Sequence, residues 1–87
     1  MAELDAFMAI ADGNRRYILE ELRRGPKSVN ELAGGLDVSR PAVSQHLKVL
    51  LDTGLVSARS EGTKRIYALS PQGFLRLNVW LDQFWDV

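Results

Sequence analysis

Apolar residues recur at helical spacing along most of this chain and change to strand-like alternation once, after Gly54. Leu4, Phe7, Met8 and Ala11 stand at i, i+3, i+4 and i+7 and predict a short first helix. Asp12-Gly13-Asn14 interrupts it, and Asn14 is the expected N-cap of a second helix running to about Arg24. Gly25-Pro26 stops that helix. Ser28-Val29-Asn30-Glu31 has the Ser-x-x-Glu form of a capping box and opens a third, short helix through Leu36, which Gly34-Gly35 should end early. Asp37-Val38 is then a tight connection. Ser39 caps a fourth helix with Arg40 and Pro41 in its first turn, running to about Thr53, with Gly54 suited to the left-handed position that follows. Val43, Leu47 and Leu50 form its buried stripe.

Residues 55–60 and 63–69 have strand length, with Glu61-Gly62 between them as a hairpin turn. Arg65, Tyr67 and Leu69 share one face of the second strand, and Ile66 and Ala68 the other. Ser70-Pro71 opens a last helix to about Phe84. The expected fold is mainly α with a small β-hairpin: four helices, the hairpin, then a fifth helix. A third and fourth helix joined by two or three residues cannot lie antiparallel and must cross steeply, which is a helix-turn-helix at about 28–53. The hairpin at about 55–69 adds a wing, and helices at about 4–11 and 71–85 stand at the two ends of a single domain, 1–87.

Length and composition narrow the function. Eighty-seven residues and 9.7 kDa make one small domain, and 46% apolar with 25% charged residues excludes wholesale disorder. The absence of cysteine removes disulfides, thiolate zinc sites, iron–sulfur clusters and cysteine nucleophiles. An acidic start (Glu3, Asp5) is unlike a signal peptide, and the longest apolar run, Ala6 to Ala11, is far below the ~20 residues of a membrane span. The chain is expected to be soluble and cytoplasmic, with no membrane partner. Net charge is zero, yet ten of the eleven basic residues fall within 14–69 against six acids. A basic middle can present a positive face to nucleic acid.

With about 100° per residue, Pro41, Ser44, Gln45 and Lys48 fall opposite the Val43 stripe of the fourth helix. Ser44 and Gln45 can exchange hydrogen bonds with base edges, and Gln suits adenine in the major groove. Arg40 lies at the end of the helix that can reach a phosphate or guanine. Ser39 and the free N–H groups of the first turn suit a phosphate. An ordinary solvated face is the competing account. Arg59, Thr63, Lys64 and Arg65 around the hairpin tip suit the phosphate backbone or minor groove, whereas charge protection of an edge strand is the alternative there.

His46, the one histidine, flanks the buried stripe. It fits a half-buried packing residue near a phosphate better than a base reader. It cannot serve Ser44 as a catalytic base, because residues two apart on a helix point about 200° apart. No metal cluster, Gly-rich phosphate loop or paired nucleophile and base is present, so the chain is read as a non-enzyme with no cofactor and no metal. Both tryptophans and Phe84 fall in the last eight residues. These aromatics could cover the protomer's own core. The reading favoured here is a two-fold homodimer through the terminal helices, using Leu4, Phe7, Met8, Leu77, Trp80, Leu81, Phe84 and Trp85.

The run Ser39-Arg40-Pro41-Ala42-Val43-Ser44-Gln45-His46-Leu47-Lys48-Val49-Leu50, followed by Gly54-Leu55-Val56, closely resembles the ArsR family of bacterial winged-helix transcriptional regulators. The resemblance extends back to Ala11–Leu19 and Ser28–Ala33 and forward to Glu61–Leu69. It implies a homodimer on double-stranded DNA, the fourth helix in the major groove, an inverted-repeat operator, repression as the usual outcome, and the cytoplasm and nucleoid of a bacterium as the location. The family's metal-sensing residues do not carry over. Ser28–Leu36 has no cysteine where many members hold a metal, and 71–87 has Asp82 and Asp86 but no histidine. The chain resembles the short, metal-independent, autorepressor-like members. A winged-helix module that binds only protein is the alternative function.

Overall fold

Four side-chain caps fix where the helices begin. Asp5 accepts from the Met8 N–H at 2.8 Å and starts α1 (Ala6–Ala9). Asp12 accepts from the N–H groups of Asn14 and Arg15 at 2.8 and 3.1 Å and starts α2 (Gly13–Leu22). Ser28 and Glu31 form the reciprocal capping box of α3 (Val29–Ala33). Ser39 accepts from the Ala42 N–H ahead of α4 (Arg40–Asp52). A computed structural model describes residues 5–85, so Leu4 and Asp86 lie outside the described residues.

Three short strands complete the fold: β1 (Lys27–Ser28), β2 (Val56–Glu61) and β3 (Lys64–Leu69), ordered β1-β3-β2 and antiparallel throughout. β2 and β3 pair from Val56↔Leu69 to Glu61↔Lys64, and β1 adds Lys27↔Tyr67 and Ser28↔Ile66. α5 (Pro71–Asp82) follows. No helix among the described residues is long and apolar enough to cross a membrane.

The core lies where α2, α3 and α4 meet the sheet. Val43, Leu47 and Leu50 are fully buried, as their spacing predicts, together with Ile18, Leu32 and Leu55. α4 closes in a Schellman motif: Gly54 N–H donates to Leu51 O and Leu55 N–H to Leu50 O, with Gly54 at φ +79°. Gly73 of α5 rests directly on this turn. A Cβ there would run into the Gly54 carbonyl and stand 3.0 Å from the Leu55 Cα, so the glycine lets α5 dock on the end of α4.

The structure corrects the sequence reading in several places. Asp12, not Asn14, caps α2, because its carboxylate reaches two free N–H groups at once. The connection between α3 and α4 spans 34–39 rather than two or three residues, because α3 unwinds at Gly34 into i→i+3 turns (Gly35 N–H to Leu32 O, Leu36 N–H to Ala33 O). The hairpin turn is Gly62-Thr63, with φ positive only at Gly62, as a II′ turn requires. β1, too short to show any periodicity, turns the expected hairpin into a three-stranded sheet with β3 at its centre. α1 buries Ala6 and Ala9, so the expected face of Phe7, Met8 and Ala11 points outward.

Candidate nucleic-acid interface

The polar face of α4 is open. Ser39, Arg40, Pro41, Ser44, Gln45 and Lys48 are all exposed, backed by the fully buried Val43, Leu47 and Leu50. The proline in the first turn and the Ser39 cap hold the N-terminal end of this helix rigid without covering it. Its side chains are therefore presented from an element fixed to the core.

Arg40 shares a notch of about 160 Å³ with the wing. Its walls are Ser28, Val29 and Asn30 at the start of α3, Arg40 at the start of α4, and Thr63, Lys64 and Arg65 at the wing tip. Three cations from two distant stretches of sequence thus converge beside two helix N-termini. Arg65 is held on the wing: its Nε donates to the Tyr67 hydroxyl at 3.1 Å, and its guanidinium lies 5.6 Å from the centre of the Tyr67 ring. Glu31, in the first turn of α3, completes the capping box behind the notch. The Ser28 backbone N–H and hydroxyl hold its carboxyl below the usual carboxylate range, with Lys27 and Lys64 adding to the effect.

Two expected phosphate contacts arrive already paired. Lys48 Nζ lies 3.0 Å from Asp52 Oδ2, and Arg59 Nη2 3.2 Å from Glu61 Oε2. Both pairs are exposed, so each is a weak interaction that a phosphate can replace. Among the described residues, no acid lies within salt-bridge distance of the other expected cations, Arg40, Lys64 and Arg65. Asn30, absent from the expected set, joins them through the capping box that aims the start of α3 into the notch.

His46 is half-buried, and its Nδ1 lies 3.3 Å from Arg15 Nη1. Arg15 also donates to the carbonyls of Ala9 and Met8. The imidazole thus anchors α4 to the start of α2. Nearby, the Arg15 N–H holds the Asp12 carboxyl below the usual carboxylate range, and the His46 side chain and the Asn14 N–H add to this.

The terminal helices form an aromatic cluster. Trp80 packs edge-on against Phe7 (5.0 Å between ring centres) and Phe84 (4.7 Å). All the exposed large hydrophobic residues among the described ones belong to this end: Phe7, Met8, Leu75, Val79, Trp80, Leu81, Phe84 and Trp85. Leu77 departs from expectation. It is 6% exposed and packs into the protomer's own core. Leu75 and Val79, 58% and 67% exposed, take the outward place instead. The two-residue offset from Leu77 puts them on the opposite side of the helix.

The geometry has close counterparts. Residues 12–58 match the family described as bacterial regulatory protein, arsR family. The HTH-type transcriptional regulator Rv2034 of Mycobacterium tuberculosis is 56% identical over 80 residues, covering 92% of this chain and 75% of that protein. A crystal structure of a possible transcriptional regulator for arsenical resistance superposes with a TM-score of 0.89 at 41% identity, over 98% of this chain and 88% of the other. The solution structure of a homodimeric winged helix-turn-helix DNA-binding domain from Mycobacterium bovis, Mb0332, has a TM-score of 0.72 at 32% identity, over 91% of this chain and 73% of that one. With its capped α3 and α4, its three-stranded wing and its open polar helix face, this chain belongs to the arsR family and is a winged helix-turn-helix, DNA-binding transcriptional regulator.

Proposed function

We propose that the protein acts as a homodimeric, sequence-specific repressor in the bacterial cytoplasm, occupying an inverted-repeat operator in double-stranded DNA. The observation that carries this reading is the convergence of Arg40, Lys64 and Arg65 on one notch beside the exposed face of α4. In this arrangement Ser44 and Gln45, with Arg40, read base edges in the major groove. Ser39, Lys64, Arg65 and Thr63 hold the backbone, joined by Lys48 and Arg59 when these leave Asp52 and Glu61. His46 supports the helix from behind. The homodimer is supported by the apolar patch on α1 and α5 and by the homodimeric neighbour. Leu75 and Val79 join Phe7, Met8, Trp80, Leu81, Phe84 and Trp85 in its interface.

Two copies place their recognition helices on one side of the duplex, so half-sites are expected about 10 bp, or a multiple of that, apart. Arg40, Lys64 and Arg65 of each protomer give a slope of log K against log salt of about −5 for the dimer. Selection of the purified chain against a random duplex library tests this directly. Enrichment of a palindrome with that salt slope is the expected result. A folded, dimeric protein that enriches no sequence overturns the reading and favours a module that binds protein.

A further inference from the structure

Arg65 is exposed, yet it does not hang free on the wing. Its Nε donates to the Tyr67 hydroxyl at 3.1 Å, and its guanidinium carbon stands 5.6 Å from the centre of the Tyr67 ring. Tyr67 is 6% exposed and belongs to the core, so a buried phenol grips a surface cation. Residues two apart on a strand share a face, and the strand pairing shows what else stands on this one. Ser60 lies opposite Arg65, and Ala58 and Lys27 flank Tyr67 from β2 and β1. The small side chains of Ser60 and Ala58 leave room for the arginine to lie back along the tyrosine, and none of these paired residues is acidic. Glu61 stands on the other face of the wing, paired with Arg59.

The contact decides which end of the guanidinium is left for a ligand. An arginine can meet a phosphate side-on, through Nε and one Nη, or end-on, through both Nη groups. In Arg65 the Nε–H is already engaged, and the side chain lines the notch shared with Arg40 and Lys64. We infer that Tyr67 is the positioning residue of the wing: it holds Arg65 in place before DNA arrives, so that Arg65 meets a backbone phosphate end-on through Nη1 and Nη2. An unrestrained exposed arginine gives up its rotamer freedom on binding, whereas a side chain held beforehand has less to lose. This rests on Arg65 holding the DNA backbone, as proposed, and adds a residue that acts only through Arg65.

Tyr67→Phe keeps the ring and removes the hydroxyl. On a duplex that the parent enriches, it should weaken binding about fivefold at an unchanged salt slope, because the charge stays. Arg65→Ala should reduce the slope by about 1 per protomer, and adding Tyr67→Phe to it should change nothing further. Urea unfolding checks the fold of each variant. NMR of the parent needs no variant: when the duplex is added, the Arg65 Nε–H signal should keep its shift while the Nη signals move. Three results overturn the inference while the DNA-binding reading stands. They are a Tyr67→Phe penalty that persists in the Arg65→Ala background, no penalty in the parent background, and an Nε–H signal that moves in place of Nη. A folded parent that binds no duplex overturns both.

Discussion

Arg15 Nη1 lies 3.3 Å from His46 Nδ1, and this contact ties the start of α2 to the middle of the recognition helix α4. The same guanidinium donates from Nε to Ala9 O at 2.7 Å and from Nη2 to Met8 O at 3.2 Å. One side chain thus gathers the end of the first helix, the start of the second and the helix that carries Ser44 and Gln45. Arg15→Ala removes a donor from three acceptors, of which Met8 O keeps the Ala11 N–H, and should destabilise the fold by about 1–3 kcal/mol. His46→Ala should cost less and weaken DNA binding evenly across sequences. Chemical denaturation of both single variants and the double variant gives the coupling, expected at about 0.5 kcal/mol or more. Strict additivity would show that the pair does not act as a unit.

Readers and clamps on the DNA surface separate by their effects. Arg40→Ala or Lys64→Ala should each reduce the salt slope by about 1 per affected phosphate contact. Of the two, Lys64→Ala should weaken all sequences alike. Gln45→Ala should relax sequence preference with little change in slope. Asp52→Ala frees Lys48 from its partner and should tighten binding to every duplex, most at low salt. Competition binding at several salt concentrations checks all four.

Leu77 and Val79 should behave oppositely although they are two residues apart. Val79→Glu changes an exposed position and should leave the protomer's stability within about 0.5 kcal/mol. It should nonetheless dissociate the dimer, read by sedimentation. Leu77→Ala empties a core position and should cost about 2–5 kcal/mol, read by thermal unfolding.

Asp12 gives the fold an acid limb. Its carboxyl is held below the usual range chiefly by the Arg15 N–H, so its folded pKa is lower than its unfolded one. That stability is fully present above the unfolded carboxylate pKa and is lost as pH falls through the folded value. Asp12→Asn keeps a capping side chain but removes the charge. The variant should lose stability at neutral pH and show a flatter decline between neutral and acid pH than the parent, measured by urea unfolding across that window. An unchanged slope would remove Asp12 from the acid response.

The parts of this fold legible in the sequence are those where one residue type has one physical solution. Ser39, Pro41 and Gly54 bracket α4 because a cap, a first-turn proline and a left-handed glycine each fit only at a helix end. The 43/47/50 stripe found the core for the same reason. Legibility fails where the chain offers two equivalent choices. Asp12 and Asn14 are both good caps, and only the three-dimensional reach of the carboxylate decides between them. α5 is apolar around most of its surface, so its sequence could not say that Leu77 turns inward and Leu75 and Val79 outward. The pairing of Lys48 with Asp52 at i, i+4 was readable, yet whether a surface lysine prefers an acid or a phosphate is set by what is nearby.

The sheet order has a mechanical consequence. β1 supports β3 only at Tyr67 and Ile66, so beyond that point Ser60, Glu61, Lys64 and Arg65 belong to a two-stranded ribbon with no third strand paired to it among the described residues. Such a ribbon is a cantilever clamped at its root. Its base keeps step with the recognition helix while its tip is free to tilt across a phosphate strand. Local variation in groove width can then be absorbed by bending the wing, without withdrawing α4 from the bases.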